Sequence, residues 1–173
     1  MATVRFCFER RVLFVLPYLR FIYALLRFVR FHFPCSFSSL IAMTTFKNIV
    51  LYTDTDGFAR FREEDIALPG GSPKARLSEL FPSDGFQVRH SPPGVSSDFH
   101  CTTTAQWLVA LSGEMEIGLR DGSARIFKAG DHFFSNDVLP EGATFDPAVH
   151  GHRSRIVGDA PLTTLFVRTG TTG

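Results

Sequence analysis

The stretch whose reading decides the fold is QWLVALSGEMEIGLRDGSARIFKAGDHFFS, from Gln106 to Ser135. It holds four short apolar runs, Gln106–Ser112, Met115–Leu119, Arg125–Phe127 and His132–Ser135. The breaks between them are Ser112-Gly113, Asp121-Gly122 and Ala129-Gly130. Asp-Gly between two alternating runs is a strong hairpin signal, because both residues accept the positive φ of a tight turn. Short runs at this spacing, punctuated by turn residues, are the pattern of an all-β domain.

The same grammar extends outward in both directions. Asn48–Tyr52 reads as a first strand closed by Asp54-Thr-Asp-Gly57, and Phe58–Arg62 as a second. Leu68–Pro73 is a turn-rich loop, and Phe86–His90 alternates until Ser91-Pro-Pro-Gly94 ends it. Arg153–Val157 and Thr163–Arg168 complete the series, with a break at Gly158-Asp159. Helical periodicity, low complexity and internal repeats are all lacking. The expected class is all-β, a sandwich or a small antiparallel barrel.

Composition bounds the alternatives. The chain has 173 residues, 45% hydrophobic, 13% aromatic and 20% charged, with a formal charge of +1. That fits one globular domain with a sizeable core. Three cysteines are too few for a disulfide scaffold. The average hides a seam. Residues 1–42 hold six of fifteen arginines, eight of nineteen phenylalanines and one acid, Glu9. Residues 43–173 hold all fourteen glycines, with 12 Lys and Arg against 16 Asp and Glu, a charge of −4. Residues 1–42 therefore read as a leader outside the domain: an upstream extension of the reading frame first, a targeting segment second, a membrane anchor third. The anchor ranks last because Val12–Val29 is interrupted by Pro17, Arg20 and Arg27. The domain is expected to begin near Met43 and to run to residue 173.

Glycine and histidine spacing narrows the domain further. Gly94, five residues, His100, then Gln106, six residues, Gly113 resembles the first motif of the cupins, G-x5-H-x-H-x3/4-E-x6-G. Ala129-Gly130-Asp131 looks like the end of the family's middle section. Gly130 opens a likeness to the second motif, G-x5-P-x-G-x2-H-x3-N, with His152 at its histidine. The resemblance covers about residues 75–168 and implies a small antiparallel jelly-roll barrel. It also implies a divalent metal, Fe, Mn, Ni or Zn, at the barrel mouth. The chain departs from the pattern at Thr102 (second histidine), Gln106 (glutamate), Asn136 (proline) and Ile156 (asparagine). Gly130 to His152 is eleven residues longer than the motif, the excess lying in Val138–Val149. The implied ligands are His100, Gln106 and His152, a set without a carboxylate and so a weaker site for first-row metals. His150, in an H-x-H with His152, ranks second as a ligand.

The other polar residues carry plainer readings. His90 and His132 read as half-exposed polar residues, Thr102, Thr103 and Thr104 as strand-surface residues, and Cys101 as a small apolar filler. Trp107, of opposite parity to Gln106, is expected outside the barrel. Arg153 and Arg155 read first as salt-bridged surface residues. No charged residue in motif register is seen to partner His100 or His152.

Two functions remain open. The first is a small-molecule enzyme, which the resemblance makes an oxidoreductase or isomerase on a small oxygenated, aromatic or polyketide-like metabolite. His100 and His152 are its candidate catalytic residues, acting through the metal or as general bases. The second is a barrel that binds a small ligand without catalysis. A structural role as a dimerisation domain is a third, and a homodimer is implied by the family's habit of pairing at sheet edges. A mildly acidic domain without a basic stripe argues against nucleic acid, and no P-loop, nucleophile elbow or zinc CxxC pair is present. The cysteine pattern suits a reducing, cytoplasmic setting, with organelle targeting by the leader as the variant.

Overall fold

The large sheet is six strands wide, in the order β2-β1-β9-β6-β11-β5. The computed structural model describes residues 44–169, so all readings of the leader lie outside the described residues. Within them run β1 (Thr45–Thr53), β2 (Ala59–Ala67), β3 (Gly70–Ser72), β4 (Ala75–Leu77), β5 (Gly85–Ser91) and β6 (Gln106–Ser112). Then follow β7 (Glu114–Gly118), β8 (Ala124–Lys128), β9 (His132–Asn136), β10 (Arg153–Val157) and β11 (Leu162–Arg168). A second sheet, β10-β7-β8, packs against the first, and β3-β4 forms a small hairpin. The expected all-β jelly-roll is what these strands build. Among the described residues no helix is long and apolar enough to cross a membrane.

Strand alternation makes the core. Leu51, Leu108 and Phe133 of the large sheet meet Met115, Ile117, Phe127 and Ile156 of the small one. Each such side chain contributes about 1.5–3 kcal/mol on burial. Trp107, of opposite parity, lies outside as expected, its ring 5.2 Å from that of Phe134. The Asp121-Gly122 break is a hairpin: β7 and β8 pair from Glu114↔Lys128 to Gly118↔Ala124, and Gly122 sits at φ +84°. Only a residue without a Cβ adopts that φ at little cost.

Three features depart from expectation. First, β1 and β9 pair in parallel, Val50 opposite Phe134. No tight turn links strands so distant in sequence, so nothing forces the antiparallel arrangement. Second, residues 70–77 form β3 and β4 rather than a plain loop. Third, β2 runs on through Arg62-Glu-Glu-Asp65 to Ala67, paired with β1 along its length. The sheet's two edges are therefore unlike, for β2 is charged while β5 exposes Phe86 (71%) and Val88 (59%).

The segment before β6 completes the site's frame. Ile156 N donates to Val95 O at 2.9 Å and Ser97 N to Ser154 O at 2.8 Å. Residues 95–100 thus lie along β10 like an irregular extra strand, ending beside His152.

Candidate functional site

The site begins with a buried acid. Phe133 and Ser135 point inward from β9, and continuing that period of two brings Asp137 to the same side, fully buried. Burying a carboxylate is costly unless its oxygens are satisfied. Here both are. Oδ1 accepts from Thr102 Oγ1 at 2.5 Å and from Ser135 Oγ at 3.3 Å. Oδ2 accepts from His152 Nδ1 at 2.5 Å. Thr102 N also donates to Asp137 O at 3.2 Å, which fixes the backbone.

His152 is in turn locked to His100. Their backbones form a two-bond antiparallel bridge, His100 N to His152 O at 2.9 Å and His152 N to His100 O at 3.0 Å. Gly151 makes the approach possible. It lies at φ +81°, and a Cβ there would sit 2.4 Å from the His100 carbonyl oxygen. The two imidazole centroids are 4.6 Å apart. His100 Nδ1 lies 2.9 Å from the Asp98 carbonyl oxygen, which can only accept, so Nδ1 carries the hydrogen. In both rings the δ nitrogen is engaged and Nε2 is left for chemistry.

The two histidines and Gln106 line one cavity of about 150 Å³, with Met115 and Phe133 at its apolar side and Arg89 at its rim. Cys101 lines it too, and burial first, then the negative Asp137, push its thiol pKa up. It is a poor nucleophile there.

The structure therefore brings His100, Gln106 and His152 together and leaves His150 out. Gly151's positive φ breaks the alternation on which the H-x-H reading depends. His150 Nδ1 instead accepts from Asp146 N at 2.9 Å, within its own loop. His90 faces outward with Phe86 and Val88, bonded to Thr163 Oγ1 at 3.0 Å, and His132 stacks on Phe46 at 4.7 Å. Arg155 makes a two-bond ion pair with Glu116, which holds that carboxyl below the ordinary range. Thr102 is buried, not a surface residue, because its hydroxyl is needed by Asp137. Sequence reasoning missed Asp137, the charged partner it found lacking for His152. The signal available was the inward series 133, 135, 137 running past the end of the strand.

This donor set does not complete a divalent metal site. Two imidazoles and the amide of Gln106 bring no negative charge to an ion, and the nearby carboxylate is spent on Thr102, Ser135 and His152. Among the described residues no group of three or more His, Cys, Asp or Glu is arranged to hold an ion.

No family model and no curated protein matches the chain. Among solved structures, it is similar to a cupin protein from Bacteroides fragilis, at 22% identity and TM-score 0.35. That match covers 51% of this chain and 66% of the other. It is similar to a Cupin 2 conserved barrel domain protein from Salinispora arenicola, at 20% identity over 70% of this chain and 82% of that one, TM-score 0.36. It is also similar to a dTDP-6-deoxy-D-glucose-3,5-epimerase from Legionella pneumophila, at 16% identity over 74% of each chain, TM-score 0.37. At these values the likenesses lend no weight to any one function. The fold rests on this chain's own strand order and register, a two-sheet jelly-roll barrel with a buried acid–histidine pair at its mouth.

Proposed function

We propose that this domain is a cupin-type small-molecule enzyme of the isomerase class, with His152 as its general base. The observation that carries this is the buried Asp137–His152 pair opening on a cavity. The carboxylate holds His152 in the tautomer that leaves Nε2 unprotonated and aimed at a ligand. Nε2 takes a proton from a carbon beside a carbonyl, giving an enolate; the His152 imidazolium returns it to the next carbon, or water protonates the other face and the imidazolium gives its proton back to water. No oxidant or reductant is consumed. The Gln106 side-chain amide N–H donates to the substrate's carbonyl oxygen, and His100 Nε2, with its hydrogen on Nδ1, accepts from a neighbouring substrate hydroxyl.

Incubation in D2O with a panel of hydroxyketones, keto acids and ketoses tests this by mass spectrometry. Deuterium uptake into one class, abolished in His152→Gln, is the expected result. A second reading is favoured by the replaced ligand positions Thr102 and Gln106: a barrel that binds its ligand without turnover. Binding without exchange, unchanged in His152→Gln, would establish that reading and remove the first.

A further inference from the structure

Beside the cavity stands an arginine that the mechanism above does not use. On β5 the alternation is inverted: Phe86 and Val88 face solvent, while Arg89, itself exposed, lines the edge of the cavity. Its guanidinium lies over the ring of Phe166, 4.7 Å from the centroid. Stacking of this kind fixes a planar cation while leaving its N–H groups free in the plane.

The arginine's surroundings lack a counter-charge. Arg60, Arg62, Arg125 and Arg155 each pair with a carboxylate, whereas Arg89, like Arg76, Arg120, Arg153 and Arg168, forms no ion pair among the described residues; of these five only Arg89 lines the histidine cavity. Burial is the one cause acting on its pKa, and it lowers it. Directly across the β5–β11 pairing is Thr164, fully buried, whose hydroxyl also has no partner.

Arg89 also borders a second recess, of about 100 Å³. Ser91, Ser96, Ser97 and Ser154 line it, and Arg89, Met115 and Ser154 are common to both cavities. Ser97 and Ser154 bond each other at 3.2 Å, which leaves the hydroxyls of Ser91 and Ser96 beside the guanidinium as the donors an oxyanion needs.

We propose that Arg89 and this serine-lined recess hold an oxyanion of the ligand, a carboxylate or phosphate, while the rest of the molecule reaches the histidines. The substrate class is then a small anionic oxygenated metabolite. The assignment rests on the reading of the His152 cavity as the ligand site, and its test is separable from it.

The test is titration calorimetry on the full chain with inorganic phosphate and with acetate, in a non-coordinating buffer. Wild type should bind at least one. Arg89→Gln should bind it about ten-fold more weakly or worse, and Arg89→Lys should fall between, keeping the charge without the fork. Phosphate alone points to a phosphorylated substrate and acetate alone to a carboxylic acid. His152→Gln should bind the anion like wild type, so loss of deuterium exchange and loss of anion binding are read independently. Should Arg89→Gln fail to fold, by its circular dichroism melt, Arg89→Lys and Phe166→Leu carry the comparison. Wild type that binds neither anion, or binding untouched by every one of these variants, overturns the proposal.

Discussion

Nδ1 of His152 and Oδ2 of Asp137 are 2.5 Å apart, and the acid's other oxygen is held by Thr102 and Ser135. Asp137 thus ties together a loop residue before β6, a strand residue of β9 and the histidine before β10. Removing it leaves buried His152 Nδ1 without a partner and Thr102 and Ser135 with only each other's hydroxyl, 2.5 Å away. Asp137→Ala should destabilise the fold by about 3–5 kcal/mol, read from urea unfolding. Asp137→Asn keeps the volume but favours the wrong histidine tautomer. Its deuterium exchange should fall about a thousand-fold with a smaller loss of stability. Equal exchange in wild type and Asp137→Asn would remove the acid from the mechanism.

Gly151 should tolerate no side chain. Its φ of +81° and the 2.4 Å approach to the His100 carbonyl act together, so Gly151→Ala should cost about 3 kcal/mol or more. Gly122 has a similar φ of +84° but nothing within 4 Å of a built Cβ. Gly122→Ala should therefore cost only about 1–2 kcal/mol. Denaturant midpoints of the two variants, side by side, separate the clash from the conformational strain.

Divalent metal should bind weakly. In cobalt titrations followed by visible absorption, wild type should not reach a stoichiometric end point, and Gln106→Glu should gain about ten-fold in affinity by adding the missing carboxylate. Stoichiometric metal in wild type, lost in both His100→Ala and His152→Ala, would reverse this conclusion.

Cys101 reports on the charge of Asp137. Burial and the neighbouring carboxylate both disfavour the thiolate, so its pKa stands above the ordinary thiol value. Alkylation of the folded protein should then have its pH midpoint above that of a free thiol. Asp137→Asn removes one negative charge, favours the thiolate and should bring the midpoint down. The chain also carries Cys7 and Cys35, so the rate is read by peptide mapping. A midpoint unmoved by Asp137→Asn would show the carboxylate to be neutral or remote.

The strands were legible where the apolar pattern is regular. β6 and β10 begin and end where their runs do, at Gln106–Ser112 and Arg153–Val157. The pattern was silent where burial is one-sided or slight. β2 carries Glu63, Glu64 and Asp65 because it is an edge strand, and its pairing with β1 comes through the backbone. β3 and β4 are three residues each, Gly-Gly-Ser and Ala-Arg-Leu, and largely exposed, so no hydrophobic period marks them. In the site, His100, Gln106 and His152 were found because motif spacing reflects their shared cavity. Asp137 sits at a motif position that constrains no residue type. Arg89 was hidden because β5 shows Phe86 and Val88 to solvent and is exposed along nearly its whole length, so no inward apolar period marks the cavity side.

The pinned ends of the segment from Asp137 to His152 explain why its length departs so far from the motif. It leaves at Asp137, tied to Thr102, and returns at His152, tied to His100, with the two side chains bonded to each other. Whatever chain lies between is an excursion that starts and finishes at fixed points. Extra residues in Val138–Val149 add only a slowly growing loop-closure entropy and do not shift the imidazole. The loop, which lines no part of the histidine cavity, is thus the length-variable part of this barrel beyond its bond to Thr53 at Val138, and the imidazole keeps its coordinates as that length changes.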